Sequence, residues 1–176
     1  MWPSTKITRI VTPFIGKNRT ATGGEGIVGW WFLEDNNYNS SESNLWHGYW
    51  LNQHVAQNTS YAPNHEYYYH YGTSYNQVWM PTTLKTIIVT DQETISNGAF
   101  FNMDYLETVV LPFGQNANDP NSTNYNDVGL PEIYDDIEWG TRSLKTIQTG
   151  AFWSCGALKE IYIPKWSVCK NDVSTF

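Results

Sequence analysis

The 176-residue sequence predicts a mainly β fold: a short solenoid of stacked repeats broken by large insertions, one of them an aromatic, β-rich lobe. Three observations predict it. Residues 92–112 (QETISNGAFFNMDYLETVVLP) align without gaps on residues 144–164 (LKTIQTGAFWSCGALKEIYIP) at an offset of 52. The second half of each segment, a Leu followed by alternating apolar positions, recurs near the start of the chain and again just before residue 90. Aromatic residues make up 16% of the chain and crowd into positions 14–83, in short runs between Asn, Ser and Gly.

At the offset of 52, Thr94/Thr146, Ile95/Ile147, Gly98/Gly150, Ala99/Ala151, Phe100/Phe152, Leu106/Leu158 and Pro112/Pro164 coincide. Val109/Ile161 and Leu111/Ile163 keep the same chemistry. The closing halves read as short strands, and the same rule fits Ile7–Pro13 and Leu84–Thr90, so strands are expected to begin at 7, 84, 106 and 158. The step from 84 to 106 is one leucine-rich period. The step to 158 holds one further period plus about thirty inserted residues.

One such strand with its irregular return cannot bury its own apolar face, so neighbouring units must pack together, as in a leucine-rich-repeat solenoid. The expected units are 7–13, 84–112 and 144–164, in a single domain with insertions at 14–83 and 113–143. The first, fourth and sixth strand positions point inward: Leu84, Ile87, Val89; Leu106, Val109, Leu111; Leu158, Ile161, Ile163. In the return path, Gly98 and Gly150 allow a tight backbone, Ala99 and Ala151 allow close packing, and Phe100 and Phe152 fill the core.

The pattern I-x-x-G-A-F-x-x-C-x-x-L-x-x-I-x-I-P, intact from Ile147 to Pro164, resembles the BspA-like leucine-rich repeat. In the copy from Ile95 to Pro112, Met103 stands in the Cys position. Pro13-Phe14-Ile15-Gly16, then an aromatic stretch, then Met80–Thr86, is similar to an inserted module in large bacterial members of that family. The resemblance implies a curved solenoid, a surface or secreted location, and adhesion or protein binding without an active site.

Aromatic runs bounded by turn formers, among them Trp30-Trp31-Phe32, Trp46, Tyr49-Trp50, Tyr67-Tyr68-Tyr69, Tyr71, Tyr75 and Trp79, read as short strands in hairpins. They are either the core of the lobe or an exposed platform for sugar rings or a protein. The second insertion is rich in Asn and Asp but lacks the alternating oxygen ligands, central Gly and late Glu of an EF-hand. A solvated loop is the expectation there.

The net charge of −7 is unevenly spread. Residues 1–19 carry Lys6, Arg9, Lys17 and Arg19 and no acid, while residues 20–141 carry fifteen acids and one base, Lys85. Residues 142–176 hold five bases against Glu160 and Asp172. The acidic block would repel nucleic acid and attract basic proteins; ordinary solubility is the other account of it. Asp127, Glu132, Asp135, Asp136 and Glu138 form its densest cluster. Two cysteines, Cys155 and Cys169, make at most one disulfide and are otherwise a buried thiol and an ordinary one. No apolar run approaches the roughly eighteen residues of a membrane span. The opening residues 1–6 lack the apolar stretch of a secretion signal, so the chain is either not exported or a mature portion or fragment.

No motif points to an enzyme, a cofactor or a metal. His65-Glu66 is followed by His70, which misses the zincin spacing, and His47 and His54 stand alone. Gly23-Gly24-Glu25-Gly26 lacks the Lys-Ser/Thr of a phosphate loop. A face for partners is easier to place. The fifth strand position forms an apolar row, Val11, Ile88, Val110 and Tyr162, pointing away from the core and flanked by Glu107 and Glu160. This row is either open to a protein partner or covered by an insertion. Three functions are weighed: protein binding or adhesion through this face and the acidic cluster, an acidic inhibitor that occupies the basic groove of a nuclease or similar protein, and a carbohydrate-binding module.

Overall fold

The computed structural model describes residues 7–22, 25–32, 48–55, 74–115, 130–164 and 168–169. Among the described residues the regular structure is mostly sheet, with most strands parallel and the helical segments short. Four strands form the main sheet in the order β1 (Arg9–Thr12), β4 (Thr86–Val89), β6 (Thr108–Val110), β8 (Glu160–Tyr162). A second parallel sheet holds β5 (Thr94–Ile95), β7 (Thr146–Ile147) and β9 (Val168–Cys169). An antiparallel hairpin joins β2 (Gly48–Val55) to β3 (Ser74–Pro81).

Register in the main sheet follows the strand alignment position by position. Arg9, Thr86, Thr108 and Glu160 lie side by side, then Ile10, Ile87, Val109 and Ile161, then Val11, Ile88, Val110 and Tyr162. The ladder starts one residue earlier than the strands themselves. Lys85 donates its N–H to the Thr8 carbonyl, Glu107 to that of Lys85, and Lys159 to that of Glu107, each at 2.9 Å.

One core cluster gathers the inward strand positions of both sheets: Leu84, Ile87, Val89, Leu106, Val109, Leu111, Ile95 and Ile147. The two middle strands bury Ile87 and Val109 fully, whereas Ile10 and Ile161 on the outer strands are half-buried. Phe100 and Phe152 stack nearly parallel at 4.8 Å between centroids, and Phe101 meets Trp153 edge-on at 5.5 Å. Residues 52 apart in sequence have thus become neighbours in space. The backbone repeats too, with φ of 67° at both Gly98 and Gly150. That left-handed conformation carries no penalty in glycine, which explains the residue at both places. Asn102 and Ser154, again 52 apart, adopt φ of 63° and 61°. Asn commonly tolerates this region and Ser less so, and the sequence reading did not single either out.

The aromatic insertion departs from expectation at its start. Val28–Phe32 is a 3-10 helix rather than a strand. Val28 donates to the Ala99 carbonyl at 2.9 Å, Trp30 donates back to Ile27, and the Trp31 indole N–H reaches the Gly16 carbonyl at 3.1 Å. Those bonds tie the run to the core, where Trp31 and Phe32 pack. The expected hairpin is present in β2 and β3. Trp46, Tyr67, Tyr68, Tyr69, Tyr71 and the histidines His47, His65 and His70 lie outside the described residues, as does the Asn/Asp-rich stretch 116–129.

A buried carboxylate clamps three segments that are remote in sequence. Asp91, just after β4, accepts from Arg19 Nε and pairs with Arg19 Nη2 at 2.7 Å. It also accepts from the backbone N–H of Arg142 at 2.9 Å and from Arg142 Nη1 at 3.2 Å. Gly140 makes the approach feasible, because a β-carbon there would lie 2.3–2.5 Å from the Asp91 side chain. Next to it, the fully buried Gln92 accepts from the Ile15 N–H at 3.0 Å.

Candidate functional site

The outward face of the main sheet is where the second insertion lands. Its base closes with an antiparallel bridge between Phe113 and Ser143, and Leu144 donates to the Pro112 carbonyl at 2.8 Å. At Pro131 the chain is extended (φ −55°, ψ 145°) and then enters a 3-10 helix, Glu132–Tyr134. Bonds three residues apart continue to Ile137, so side chains three apart lie one above another. Tyr134 and Ile137 therefore share the buried side, while Glu132, Ile133, Asp135, Asp136 and Glu138 are exposed.

This arrangement corrects the open apolar row. Ile88 and Val110 are completely buried, in a second apolar cluster with Phe113, Tyr134 and Ile137, against which Leu130, Trp139 and Tyr162 pack. Tyr134 meets Tyr162 edge-on at 5.7 Å, and Phe113 meets Trp139 likewise at 5.3 Å. The Trp139 indole N–H has no acceptor among the described residues, so ring packing seats it. An apolar row on the solvent side of a sheet is favourably covered, at about 25 cal/mol per Å² removed from water. The apolar residues of the insertion supply that cover. Only Val11, at 50% exposure, lies beyond it.

Between the uncovered strand β1 and the insertion runs a groove of about 540 Å³, with Val11, Pro13 and Ile137 as its apolar lining and Arg9, Asp136 and Glu138 as its charged lining. Asp136 sits 3.8 Å from Arg9, but with 77% of its side chain exposed that pair is weak. Glu132, Asp135 and Glu138 make no ion pair with any described residue. The hydroxyls of Thr12 and Thr90, which also line the groove, are engaged by the carbonyls of Phe14 and Thr12. A ligand therefore meets an apolar strip with Arg9 and two carboxylates beside it.

The remaining candidates are placed differently. Glu107 lies between Lys159 at 2.6 Å and Lys85 at 3.3 Å. Hydrogen bonds from those two ammonium groups hold its carboxyl below the usual range. Glu160 accepts from the Tyr162 hydroxyl at 3.3 Å. Burial, followed by the charge of Glu160, pushes the Tyr134 and Tyr162 phenols up. Asp127 lies outside the described residues. The structure thus brings Val11, Asp136 and Glu138 to one groove, leaves Glu132 and Asp135 exposed on the adjoining 3-10 turn outside its lining, and leaves Glu107 and Glu160 in local pairs. Arg9, Pro13, Ile133 and Ile137 were missed. For Ile133 and Ile137 the signal was apolar residues three or four apart among the acids, as at Leu130 and Tyr134; Arg9 and Pro13 had no such signal.

Cys155 is a free thiol that donates to the Phe100 carbonyl at 3.0 Å. Among the described residues no group of three His, Cys, Asp or Glu side chains is arranged to hold a metal, and no helix is long and apolar enough to cross a membrane. Comparison with protein-family models, with known proteins and with solved structures finds no match to this chain.

Proposed function

We propose that the chain is a non-enzymatic binding module, a short leucine-rich-repeat solenoid that engages a basic protein partner through its acidic insertion and the groove beside β1. The observation that carries this reading is the cluster of Glu132, Asp135 and Glu138. These carboxylates have no cationic partner among the described residues, and beside them stands Ile133, 67% exposed. Of the other described acids, Glu25 is matched by Lys17, Glu93 by Lys145, Glu107 by two lysines and Asp91 by two arginines, while Asp104 and Glu160 stand singly without an ion pair to a described residue. An unmatched patch of one sign, rimming exposed Ile133 and Val11, suits a ligand with Lys or Arg flanking an apolar side chain. What supports the solenoid reading is the in-register row of parallel strands with stacked Phe100 and Phe152.

The test is a display library of peptides combining basic and apolar positions, panned on the wild-type protein and on a Glu132→Lys/Asp135→Lys/Glu138→Lys variant. Selected peptides are expected to bind the wild type, to weaken steeply with added salt, and to lose the triple variant. Val11→Asp should weaken them as well. Equal binding to the triple variant, affinity indifferent to salt, or an empty selection would reject the proposal.

A further inference from the structure

The two basic ends of the sequence converge on one acid. Arg19 and Arg142 both contact Oδ2 of Asp91, whose side chain is only 10% exposed, while their own side chains are 42% and 47% exposed. One carboxylate shared by two guanidiniums leaves one positive charge unneutralised. It also leaves N–H donors over, since Arg142 uses Nη1 on Asp91 and retains Nε and Nη2. The two arginines open onto a pocket of about 370 Å³, lined also by Thr20, Thr22, Thr94 and Gln148. Gln148 accepts from the Asn97 N–H at 2.9 Å through Oε1, so its amide NH2 is the end left to give. Glu93, the acid on the wall, is engaged by Lys145 at 2.7 Å.

We propose that this pocket binds a small oxyanion head group, a phosphate, sulfate or carboxylate, gripped by the remaining guanidinium N–H groups of Arg19 and Arg142 and by the amide NH2 of Gln148. Asp91 holds both guanidiniums in place before the ligand arrives, so little side-chain freedom is lost on binding. A net charge of −7 on the chain disfavours a long polyanion and favours a compact one. The site is separate from the acidic groove and does not depend on the protein-binding reading.

The full chain should be titrated at constant ionic strength with inorganic phosphate, sulfate and acetate, each against chloride, with binding followed by calorimetry and by amide NMR. At least one anion should bind saturably, with shifts centred on Arg19, Thr94, Arg142 and Gln148. Preference for phosphate or sulfate over acetate assigns a tetrahedral head group, and the reverse assigns a carboxylate. Gln148→Glu keeps the acceptor for Asn97 while adding a negative charge, and should weaken binding about tenfold or more. The proposal is overturned if none of the three anions saturates, if the shifts map elsewhere, or if Gln148→Glu binds as the wild type does. Should that variant unfold, the location of the wild-type shifts decides the matter.

Discussion

Phe100 is fully buried, and its ring lies flat on that of Phe152. Phe100→Ala removes a large side chain from a site whose neighbours are held by two sheets, and so cannot collapse freely. A loss of about 3–5 kcal/mol in denaturant unfolding is expected. Cys155 bonds to the carbonyl of the same Phe100. Burial pushes its thiol up to about 12, against a smaller opposite pull from the Met103 backbone N–H. Iodoacetamide at neutral pH should therefore modify Cys155 far more slowly in the native chain than in the unfolded one, as read by mass spectrometry of its peptide. Equal rates would contradict the packing described. At Asp91, burial acts to raise the pKa but is outweighed by the Arg142 N–H and the Arg19 guanidinium, so the carboxyl lies below its ordinary value. A depressed folded pKa stabilises above the unfolded value and is lost as pH falls through the folded one. The stability gap between the wild type and Asp91→Ala should thus hold constant near neutrality and shrink only in acid below the usual carboxylate range. A gap that widened in acid would refute the pairing.

At the scale of elements, residues 130–139 of the second insertion cover the outer face of the main sheet. Gly140 passes so close to Asp91 that Gly140→Ala must push one of them aside. A loss of about 1–3 kcal/mol is expected, with faster amide exchange across 130–140 as the Arg142 contact loosens. Tyr134→Ala takes away the ring that faces Tyr162 and helps to bury Ile88 and Val110. It should raise the binding of a hydrophobic dye to the folded protein, and no change in dye binding would mean the cover is held by other contacts. Neighbouring strands are also linked by charges at the repeat spacing, Glu93 with Lys145 and Glu107 with Lys159. These ion pairs are solvent-exposed, so they set strand neighbours more than they add stability.

Across the whole molecule, charge and topology act together. Among the described residues, Asp91, Glu93 and Glu107 are matched by bases from the two ends of the chain and by Lys85, whereas Glu132, Asp135 and Glu138 on the insertion are unmatched, where the proposed partner would bind. In the main sheet the strand positions, their pairing register and the inward set were legible in the sequence, whereas the second sheet of β5, β7 and β9 was not, since its two-residue strands lie in what reads as an irregular return path. The main-sheet features follow from a pattern that recurs at a fixed offset, and parallel strands with the same alternation can pair only in the phase that buries all their apolar positions together. The stacked pair Phe100 and Phe152 and the glycines Gly98 and Gly150 were legible for the same reason. The fate of the outward row was not. Whether Ile88 and Val110 face water depends on where Tyr134 and Ile137 come down, more than twenty residues further along the chain from Val110. Likewise, the meeting of Arg19 and Arg142 on Asp91 spans separations of 72 and 51 residues, with no local marker at either end. Local periodicity specifies a repeating strand because each copy solves the same burial problem. How an insertion folds back over those strands is settled only by long-range contacts, and only the tertiary structure decided it.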